Sequence, residues 1–360
     1  MPSVTDVIVI GAGQSGLAAA RALQEHGIRP VVLEAGPEPA GSWPYYYDSL
    51  TLFSPAGYSS LPGLDFPGDP GRYPHRGEVV AYLRRYAAAL GADIRTGTPV
   101  TAVHADGQAG FLVHTATGQT WHAAGLVAAT GSFGHPHLPA LPGQDRFTGR
   151  LQHVASYHSP HPYAGERVVV VGAGNSAIQV GYELAQVATV TLATRHPVTF
   201  VPQRRSGHDL HYWLKTTGFD LLPPEWLPHY LGGGRTVLDT GKYQHAVATG
   251  QLDRRPMFTA FDRDRVIWPD GTPEQVDTVL FATGYRPHLD YLSPLGALDD
   301  GGMPRHAGGI SATHPGLVYV GLEFQRSFSS STLRGVYRDA EHVITPLAAH
   351  VRNALAAVGL

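Results

Sequence analysis

The sequence contains no cysteine, and its charge is sparse and nearly balanced: 26 basic and 29 acidic residues give a net charge of −3. Without cysteine the chain can form no disulfide, no thiolate metal site and no redox C-x-x-C pair. Without a basic excess it has no electrostatic footprint for nucleic acid or an anionic membrane surface, and we expect neither as a partner. No apolar run approaches the ~18 residues that a membrane span requires.

Metal-binding patterns are also missing, because the 20 histidines occur without H-E-x-x-H or a repeated ligand spacing, and we expect no metal site. A hydrophobic content of 43% excludes a disordered chain, and 360 residues suffice for two domains or one large α/β domain. The apolar run at residues 7–10 is too short for a signal-peptide core and has no basic segment before it. The cytoplasm is therefore the expected location.

The first informative pattern spans residues 7–34. The β-branched run at 7–10 is typical of a buried parallel strand and leads into the turn 11–16, Gly-Ala-Gly-Gln-Ser-Gly, which allows close approach of the backbone to a pyrophosphate. The alanine-rich residues 17–26 predict a helix whose first amides face that phosphate. A second strand, 31–33, ends in Glu34, whose carboxylate can accept hydrogen bonds from ribose hydroxyls. This order favours dinucleotide binding over a βαβ turn that binds nothing.

The same unit recurs further along the chain. From Gly11 to Glu34 is 34 − 11 = 23 positions, and from Gly172 to Arg195 is 195 − 172 = 23 positions. We predict the same register, with arginine in place of the acid; arginine accommodates a 2′-phosphate that a carboxylate repels. The second unit is therefore predicted to bind NADPH, with His196 as a further donor. The alternative for Arg195 is a solvated cation, and use of NADH stays open.

A second repeat supports an internal duplication. Each half has a hairpin-like stretch leading into an apolar strand that ends in Ala-Thr-Gly, at Thr130 and Gly131 and again at Thr283 and Gly284. The spacing from the hairpin glycine is the same in both halves, 131 − 118 = 13 and 284 − 271 = 13. We predict two similar nucleotide-binding units.

Residues 147–157 read F-x-G-x-x-x-H-x-x-x-Y, directly before the second glycine loop. At these residues the chain resembles the flavin-containing monooxygenases, and the likeness runs from Gly11 to Leu333. The resemblance implies an α/β two-dinucleotide-binding-domain flavoprotein with two Rossmann-like domains, the NAD(P)H domain inserted into the FAD domain. The implied limits are 1–156 for the first part of the FAD domain, 157–284 for the NAD(P)H domain and 285–360 for the remainder. A last strand, 317–320, would lead to a helix beginning near Ser330, with its amides pointing at the flavin.

The resemblance also implies which residues bind the cofactors. Those expected to contact FAD are Gly11, Gly13, Gln14, Ser15, Gly16, Glu34, Ala35, Gly41, Ser42, Trp43, Thr130, Gly131, Glu323, Thr332 and Leu333. Those expected to contact NADPH are Gly172, Gly174, Asn175, Ser176, Ala177, Arg195, His196, Thr283 and Gly284. His153 is expected to hydrogen-bond the linker between the domains.

The implied activity is that of an FAD-dependent NAD(P)H:O2 monooxygenase, expected as a homodimer that acts on a small organic substrate. NADPH would reduce the flavin, and oxygen would then give a C4a-hydroperoxide that oxygenates sulfides and amines, or ketones by Baeyer–Villiger insertion. The implied catalytic positions are Phe53, Ser54 and Tyr157, of which Tyr157 favours the amine and sulfide branch. Phe53 stands where many members carry an asparagine that supports the oxygenated flavin, and this departure bears on coupling of NADPH oxidation to product.

Three other functions share the architecture. A disulfide reductase is excluded by the absence of cysteine. An NADPH-dependent flavin electron transferase or oxidase stays open because of Phe53. A non-catalytic redox sensor would need only one nucleotide loop, so the presence of two loops argues against this function. The substrate pocket is expected between residues 45–58 and 200–234, which carry no pattern that specifies a ligand.

Overall fold

The structure, a computed structural model, describes residues 3–107, 110–226 and 236–357. Residues 227–234 of the expected pocket lining therefore lie outside the described residues. The described helices are α1 (Gln14–Glu25), α2 (Arg76–Leu90), α3 (Asn175–Leu184), α4 (Leu210–Thr216), α5 (Lys242–Ala248) and α6 (Val336–Ala357). The described strands are β1 (Ser3–Ile10), β2 (Val31–Leu33), β3 (Asp93–Arg95), β4 (Val100–Ala105), β5 (Phe111–Thr115), β6 (Thr120–Ala128), β7 (Arg150–His153), β8 (Arg167–Val171), β9 (Thr189–Thr194), β10 (Thr199–Pro202), β11 (Arg204–Arg205), β12 (His208–Asp209), β13 (Thr236–Asp239), β14 (Asp253–Pro256), β15 (Ala260–Asp262), β16 (Arg265–Ile267), β17 (Pro273–Gln275), β18 (Thr278–Phe281), β19 (His306–Ala307), β20 (Ile310–Ser311) and β21 (Leu317–Tyr319).

The first sheet takes strands from both ends of the chain. Its parallel part has the order β3-β2-β1-β6-β21; β20 and β19 extend it antiparallel beyond β21, and β4 and β5 form an antiparallel meander with β6. Alternate residues of β1 face opposite cores: Val7 and Val9 pack with α1, α2 and α6, whereas Ile8 and Ile10 pack on the meander side. Both faces of the strand are buried, which explains its unbroken apolar sequence.

The strands of the second sheet lie, in sequence, between β6 and β19 of the first sheet. Their order is β14-β9-β8-β18-β7, and all are parallel. It repeats the parallel part of the first sheet, and an antiparallel β15-β16-β17 sheet accompanies it. The predicted two-unit α/β architecture is thus confirmed. Strand β7 begins at Arg150, before the expected limit at 157. It nevertheless belongs to the second sheet, because it pairs with β18 as β21 pairs with β6 in the first sheet. We therefore propose that the second unit begins near Arg150.

The helix ends show how local sequence sets the boundaries. α2 starts in a capping box: His75 accepts the Gly77 amide, and Glu78 accepts the His75 amide at 2.9 Å. The expected helix at 17–26 is α1, which begins earlier, at Gln14. The helix expected near Ser330 begins only at Val336, so that prediction is wrong. Residues 327–335 form consecutive turns instead, because the Ser330 hydroxyl accepts the backbone amides of residues 326 and 327.

Two kinds of feature are absent from the described residues. None of the helices in that part of the chain is both long and apolar enough to cross a membrane. Within the same residues, no group of three or more histidine, aspartate or glutamate side chains is placed to share a metal ion.

Candidate functional site

The first glycine loop is held between the carboxyl ends of β2 and β6. The Gly11 amide donates to the Leu33 carbonyl oxygen at 2.8 Å, and Gly11 has a φ of +101°, in the region that favours glycine. A Cβ at this position would lie 2.7 Å from the Ala129 carbonyl oxygen. The chain can therefore turn here only without a side chain.

Behind this turn, α1 begins with free hydrogen-bond donors. In the described structure, the amides of Gly13, Gln14 and Ser15 have no protein acceptor. Such amides, together with the positive end of the helix, bind pyrophosphate. The residues of the loop thus fit the phosphates of a dinucleotide.

The Gln14 side chain joins two further segments to the loop. Its Nε2 donates to the Ser331 carbonyl oxygen at 2.7 Å, and its Oε1 accepts the Trp43 indole N–H at 2.9 Å. The first loop is in this way connected both to the 41–43 segment and to the turns before α6. Thr332 and Leu333, expected at the flavin, follow directly on the residue that Gln14 holds.

The expected ribose ligand, Glu34, is buried, with only 6% of its surface exposed. Its carboxylate accepts the Ala12 amide at 2.6 Å and the Gly36 amide at 2.7 Å. Each oxygen retains acceptor capacity for a hydroxyl group. Glu34 therefore fixes the loop whether or not a ribose is present, a role that the sequence did not reveal.

Other expected FAD residues lie around the same loop. Gly41 packs so closely on it that a Cβ there would lie 2.7 Å from the Gly13 Cα, which places Ser42 beside the loop as well. Ser15 faces the end of β21, where a Cβ on Gly321 would lie 2.1 Å from the Ser15 hydroxyl oxygen. Glu323, two residues further on, is exposed.

The second glycine loop has the same construction. Gly172 has a φ of +144°, and a Cβ there would lie 2.5 Å from the Ala282 carbonyl oxygen. Asn175 starts α3 and accepts the Leu238 amide at 3.1 Å through its side-chain oxygen, so it ties the loop to β13. In the part of the chain that the structure describes, the amides of residues 174–176 have no protein acceptor. This loop, too, fits a pyrophosphate.

The predicted equivalence of Glu34 and Arg195 is wrong by one residue. Gly11 donates its amide to Leu33, whereas Gly172 donates to Ala193; the intervals are 33 − 11 = 22 and 193 − 172 = 21 residues. Strand pairing agrees, because Val9 opposes Val32 and Val170 opposes Leu192. The true counterpart of Glu34 is Thr194, and Arg195 stands one position beyond it. The second unit is shorter by one residue before β9, which equal spacing of glycine and charge concealed.

Arg195 and His196 lie exposed just after β9. Among the described residues, neither side chain forms a hydrogen bond or an ion pair. A cation free of acidic partners at the carboxyl end of a parallel sheet fits an anionic ligand.

The two Ala-Thr-Gly elements are bound reciprocally to the segments that connect the units. The Thr130 hydroxyl donates to the His288 carbonyl oxygen at 2.5 Å, and the Thr283 hydroxyl donates to that of His137. Each threonine hydroxyl therefore donates its proton to the other connecting segment and not to an outside group.

The backbone repeats this exchange. The amides of the same two histidines donate to the carbonyl oxygens of Gly131 and Gly284, each at 2.9 Å, and Pro136 pairs with Tyr285 in an antiparallel bridge. The two connections thus form a short antiparallel ribbon between the units.

An aromatic row lies against this ribbon. Ring centroids are 5.5 Å apart for Trp43 and Tyr46, 4.5 Å for Tyr46 and Phe133, 5.4 Å for Phe133 and Tyr285, and 4.9 Å for Tyr285 and His153. Burial raises the pKa of Tyr46 to about 12. These phenols stay neutral at physiological pH, and the row forms an apolar wall beside the first loop.

His153 has the linker role that was expected of it. Its Nδ1 accepts the Ala155 amide at 3.1 Å, which leaves the proton on Nε2 to donate to the Gly284 carbonyl oxygen at 3.1 Å. Burial lowers the pKa of His153 and so favours this neutral form.

The three residues implied as catalytic lie in different surroundings. Phe53 and Ser54 are partly buried, and the Ser54 and Ser59 hydroxyl oxygens are 2.8 Å apart. Tyr157 is fully buried, and its hydroxyl donates to Glu183 at 3.0 Å. Burial and the Glu183 carboxylate both raise the pKa of Tyr157. Phe53 and Ser54, neighbours in the chain, are thus both partly buried, whereas Tyr157 lies in the core of the second unit.

A partly buried polar network around Asp209 was not predicted, because it joins residues 203–211 to the distant Tyr73 and carries no motif. The Asp209 carboxylate accepts the Tyr73 hydroxyl, Gln203 Nε2 at 3.0 Å and His211 Nδ1 at 2.7 Å. Burial opposes its charge, but these hydrogen bonds outweigh burial and lower the pKa of Asp209 to about 2. Gln203 Nε2 also donates to the Phe53 carbonyl oxygen at 2.9 Å. The network thereby fixes the backbone of Phe53.

The turns before α6 are held by a second unpredicted contact. Arg334 donates to both carboxylate oxygens of Asp220, with distances of 2.9 to 3.2 Å, and the Ser329 hydroxyl donates to the Asp220 carbonyl oxygen at 2.9 Å. Asp220 is buried, and only 11% of the Arg334 side chain is exposed. The expected FAD residues at 332–333 are thereby joined to the segment that contains α4.

Known proteins resemble this chain in sequence and in fold. The family model described as pyridine nucleotide-disulphide oxidoreductase matches residues 8–219. An indole-3-pyruvate monooxygenase, YUCCA1, of Oryza sativa subsp. japonica is 32% identical over 323 residues, which cover 79% of this chain and 78% of that protein. The flavin-containing monooxygenase from Stenotrophomonas maltophilia superimposes with a TM-score of 0.83 and 31% identity, over 99% of this chain and 100% of its own. The chain belongs to the flavin-containing monooxygenase family, in its short bacterial form.

The resemblance found at residues 147–157 is thus confirmed, and this flavin monooxygenase is an oxidoreductase that uses a flavin, a pyridine nucleotide, oxygen and an organic substrate. An oxidoreductase named CzcO-like from Geobacillus kaustophilus, 30% identical over 353 residues, covers 97% of this chain and is itself covered completely, at 100%. A bacillithiol disulfide reductase from Staphylococcus aureus shares the fold, with a TM-score of 0.72 and 20% identity. The flavin monooxygenase has no cysteine with which to reduce a disulfide.

Proposed function

We propose that this flavin monooxygenase binds FAD at the first glycine loop and NADPH at the second, and that it oxygenates soft nucleophiles such as organic sulfides and amines. Baeyer–Villiger oxidation of ketones is included, because the rice relative is named for a keto acid, indole-3-pyruvate. The observation that carries the proposal is the pair of glycine loops, each at the carboxyl edge of its own parallel sheet and each followed by free helix amides. A chain that binds a single nucleotide would need only one such loop.

Bound flavin would supply hydride acceptance and activation of oxygen, and the residues of the chain bind it, orient it and exclude water. Gln14 aligns Trp43 with the first loop. Gln203 holds the backbone of Phe53, and we propose that the Phe53 ring and the Ser54 hydroxyl line the substrate side of the flavin. We assign Tyr157 to packing, because its hydroxyl is paired inside the core.

The decisive experiment measures where the oxygen goes. The purified yellow protein is incubated with NADPH, labelled dioxygen and methyl phenyl sulfide, and sulfoxide, hydrogen peroxide and NADPH consumption are quantified together. We expect labelled sulfoxide to account for most of the NADPH consumed. Stoichiometric peroxide without labelled product from the sulfide, an amine or a ketone would instead identify the electron transferase or oxidase that Phe53 left open.

Substitution of Arg195 tests the nucleotide assignment. Arg195→Ala should raise the Michaelis constant for NADPH roughly 10- to 100-fold, the effect of losing a charged hydrogen bond to phosphate, and leave that for NADH within about twofold. Steady-state kinetics with both nucleotides provide the measurement, and Arg255→Ala, which removes a cation already paired with Asp253 and Glu274, is the control. Equal effects on the two nucleotides would contradict a role in binding the 2′-phosphate.

A further inference from the structure

Arg254 lies on β14, the strand next to β9. In the first unit the corresponding strands are β3 and β2. Ile94 opposes Val32 there, and Arg254 opposes Leu192 in the second unit. Since Leu192 is the counterpart of Val32, a partly buried arginine occupies the place of a partly buried isoleucine.

The neighbouring residues on the two strands are the same in kind. Asp93 and Arg95 form an ion pair on β3, and Asp253 and Arg255 form one on β14, with nitrogen–oxygen distances of 2.6 and 3.1 Å. Arg255 also pairs with Glu274 at 3.3 Å. Arg255 thus belongs to a structural pair that both units possess, whereas Arg254 is peculiar to the second.

The position that Arg254 reaches is informative. Its Nε donates to the Thr194 hydroxyl at 2.9 Å, and Thr194 is the counterpart of Glu34. The first unit has the buried Glu34 carboxylate at this position, whereas the second has the Thr194 hydroxyl, hydrogen-bonded to the Arg254 guanidinium. The local charge is therefore inverted from negative to positive, one residue before Arg195.

The guanidinium has no acidic partner to balance it. Among the described residues, Arg254 forms no ion pair, and its single side-chain hydrogen bond is the one to Thr194. Arg195, the next residue after Thr194, is likewise unpaired in the described structure. Two neighbouring unbalanced cations repel each other unless an anion lies between them. Two arginine forks match the geometry of a phosphate.

We propose that Arg254 is a specificity-determining residue that binds the 2′-phosphate of NADPH together with Arg195. The inference rests on the proposed function, in which the second loop binds the nicotinamide nucleotide. Arg254 holds the phosphate from the β14 side, Arg195 from the end of β9, and Thr194 sets the orientation of the Arg254 fork. The same arrangement favours NADPH over NADH, because NADH has no 2′-phosphate for the two arginines to bind.

The test is calorimetric titration of the flavin-loaded protein with NADP+ and with NAD+, which differ only in the 2′-phosphate and do not react with oxidised flavin. Arg254→Ile places in β14 the residue that β3 carries, so the strand is expected to fold. We expect NADP+ to bind about tenfold more weakly to this variant and NAD+ to bind within about twofold of its original affinity. Arg254→Lys, which retains the charge without the fork, should fall between. Arg255→Ala is the matched control and should leave the ratio of the two affinities unchanged.

The outcomes separate the two proposals. If the unaltered protein binds NADP+ and NAD+ equally, the preference for NADPH fails, and with it the role of Arg254. If the unaltered protein prefers NADP+ and Arg254→Ile keeps that preference, only the role of Arg254 is overturned. A variant that loses affinity for both nucleotides equally also overturns it, because the residue then acts on the fold of the site and not on the phosphate.

Discussion

Gly11→Val should yield colourless protein. The substitution places a branched side chain where a Cβ already lies 2.7 Å from the Ala129 carbonyl oxygen and 3.3 Å from the Thr130 Cα. The backbone φ of +101° is also unfavourable for any other residue. The loop must shift, which displaces the amides of residues 13–15 and breaks the hydrogen bond from Gly11 to Leu33. Flavin absorbance per protein, measured after purification, should fall close to zero.

Gly27→Val provides the matched control for this effect. Gly27 also has a positive φ, +78°, but a Cβ there would meet no atom within 4 Å. The Gly27→Val substitution should lower the free energy of unfolding by about 1–2 kcal/mol, through backbone strain alone, and leave the protein yellow. Full flavin content in Gly11→Val would refute the assignment of the first loop. Loss of flavin in both variants would show that backbone strain, not the contact with Ala129, is responsible.

Arg334→Ala should lower the free energy of unfolding by about 3–5 kcal/mol, because it leaves the Asp220 carboxylate buried without its charged partner. The side chains of the two residues are only 11% and 8% exposed, and Arg334 donates to both carboxylate oxygens. The turns at 327–335 should loosen as well, so flavin should dissociate more readily. Denaturant titration of the flavin-loaded protein measures the first effect, and flavin release on dilution measures the second.

Arg21→Ala serves as the comparison, because Arg21 pairs with Glu25 on the surface of α1, where the side chains are 37% and 52% exposed. Loss of that pair should cost no more than about 1 kcal/mol. Similar costs for the two variants would contradict the importance of the buried pair. The double substitution of Arg334 and Asp220 by alanine should be more stable than Arg334→Ala alone, because no unpaired charge then remains.

Much of the fold was predictable because its signals are local. A continuous apolar run followed by Gly-x-Gly-x-x-Gly specifies strand, turn and helix over some twenty neighbouring residues, and the repeated Ala-Thr-Gly marks the ends of β6 and β18. The family followed from residues 147–157. These patterns depend on near neighbours in the chain, for which sequence spacing is a good measure of position.

What was missed depends on contacts between distant residues. The equal interval to Glu34 and Arg195 suggested one register, and only strand pairing shows that Thr194 is the counterpart of Glu34. The Asp209 network joins residues more than a hundred positions apart, such as Tyr73 and Asp209, and carries no motif. The burial of Tyr157 follows from packing between segments that the fingerprint does not describe. The Ser330 hydroxyl accepts two backbone amides, and α6 begins only after the turns that these hydrogen bonds stabilise. Apolar periodicity in the sequence gives no sign of such hydrogen bonds.

The antiparallel ribbon bears on how such a chain can arise. The His137 amide lies 2.9 Å from the Gly284 carbonyl oxygen, so the chain leaves the first sheet and returns to it at one point. A segment whose two ends coincide can be inserted into a surface loop, or removed from it, without moving the backbone of its host. Copying a gene for one nucleotide-binding unit into a loop of another would give this order of strands directly. The second unit is in this sense a separable insertion. If it were deleted, a single tight turn should suffice to join the two ends of the first unit.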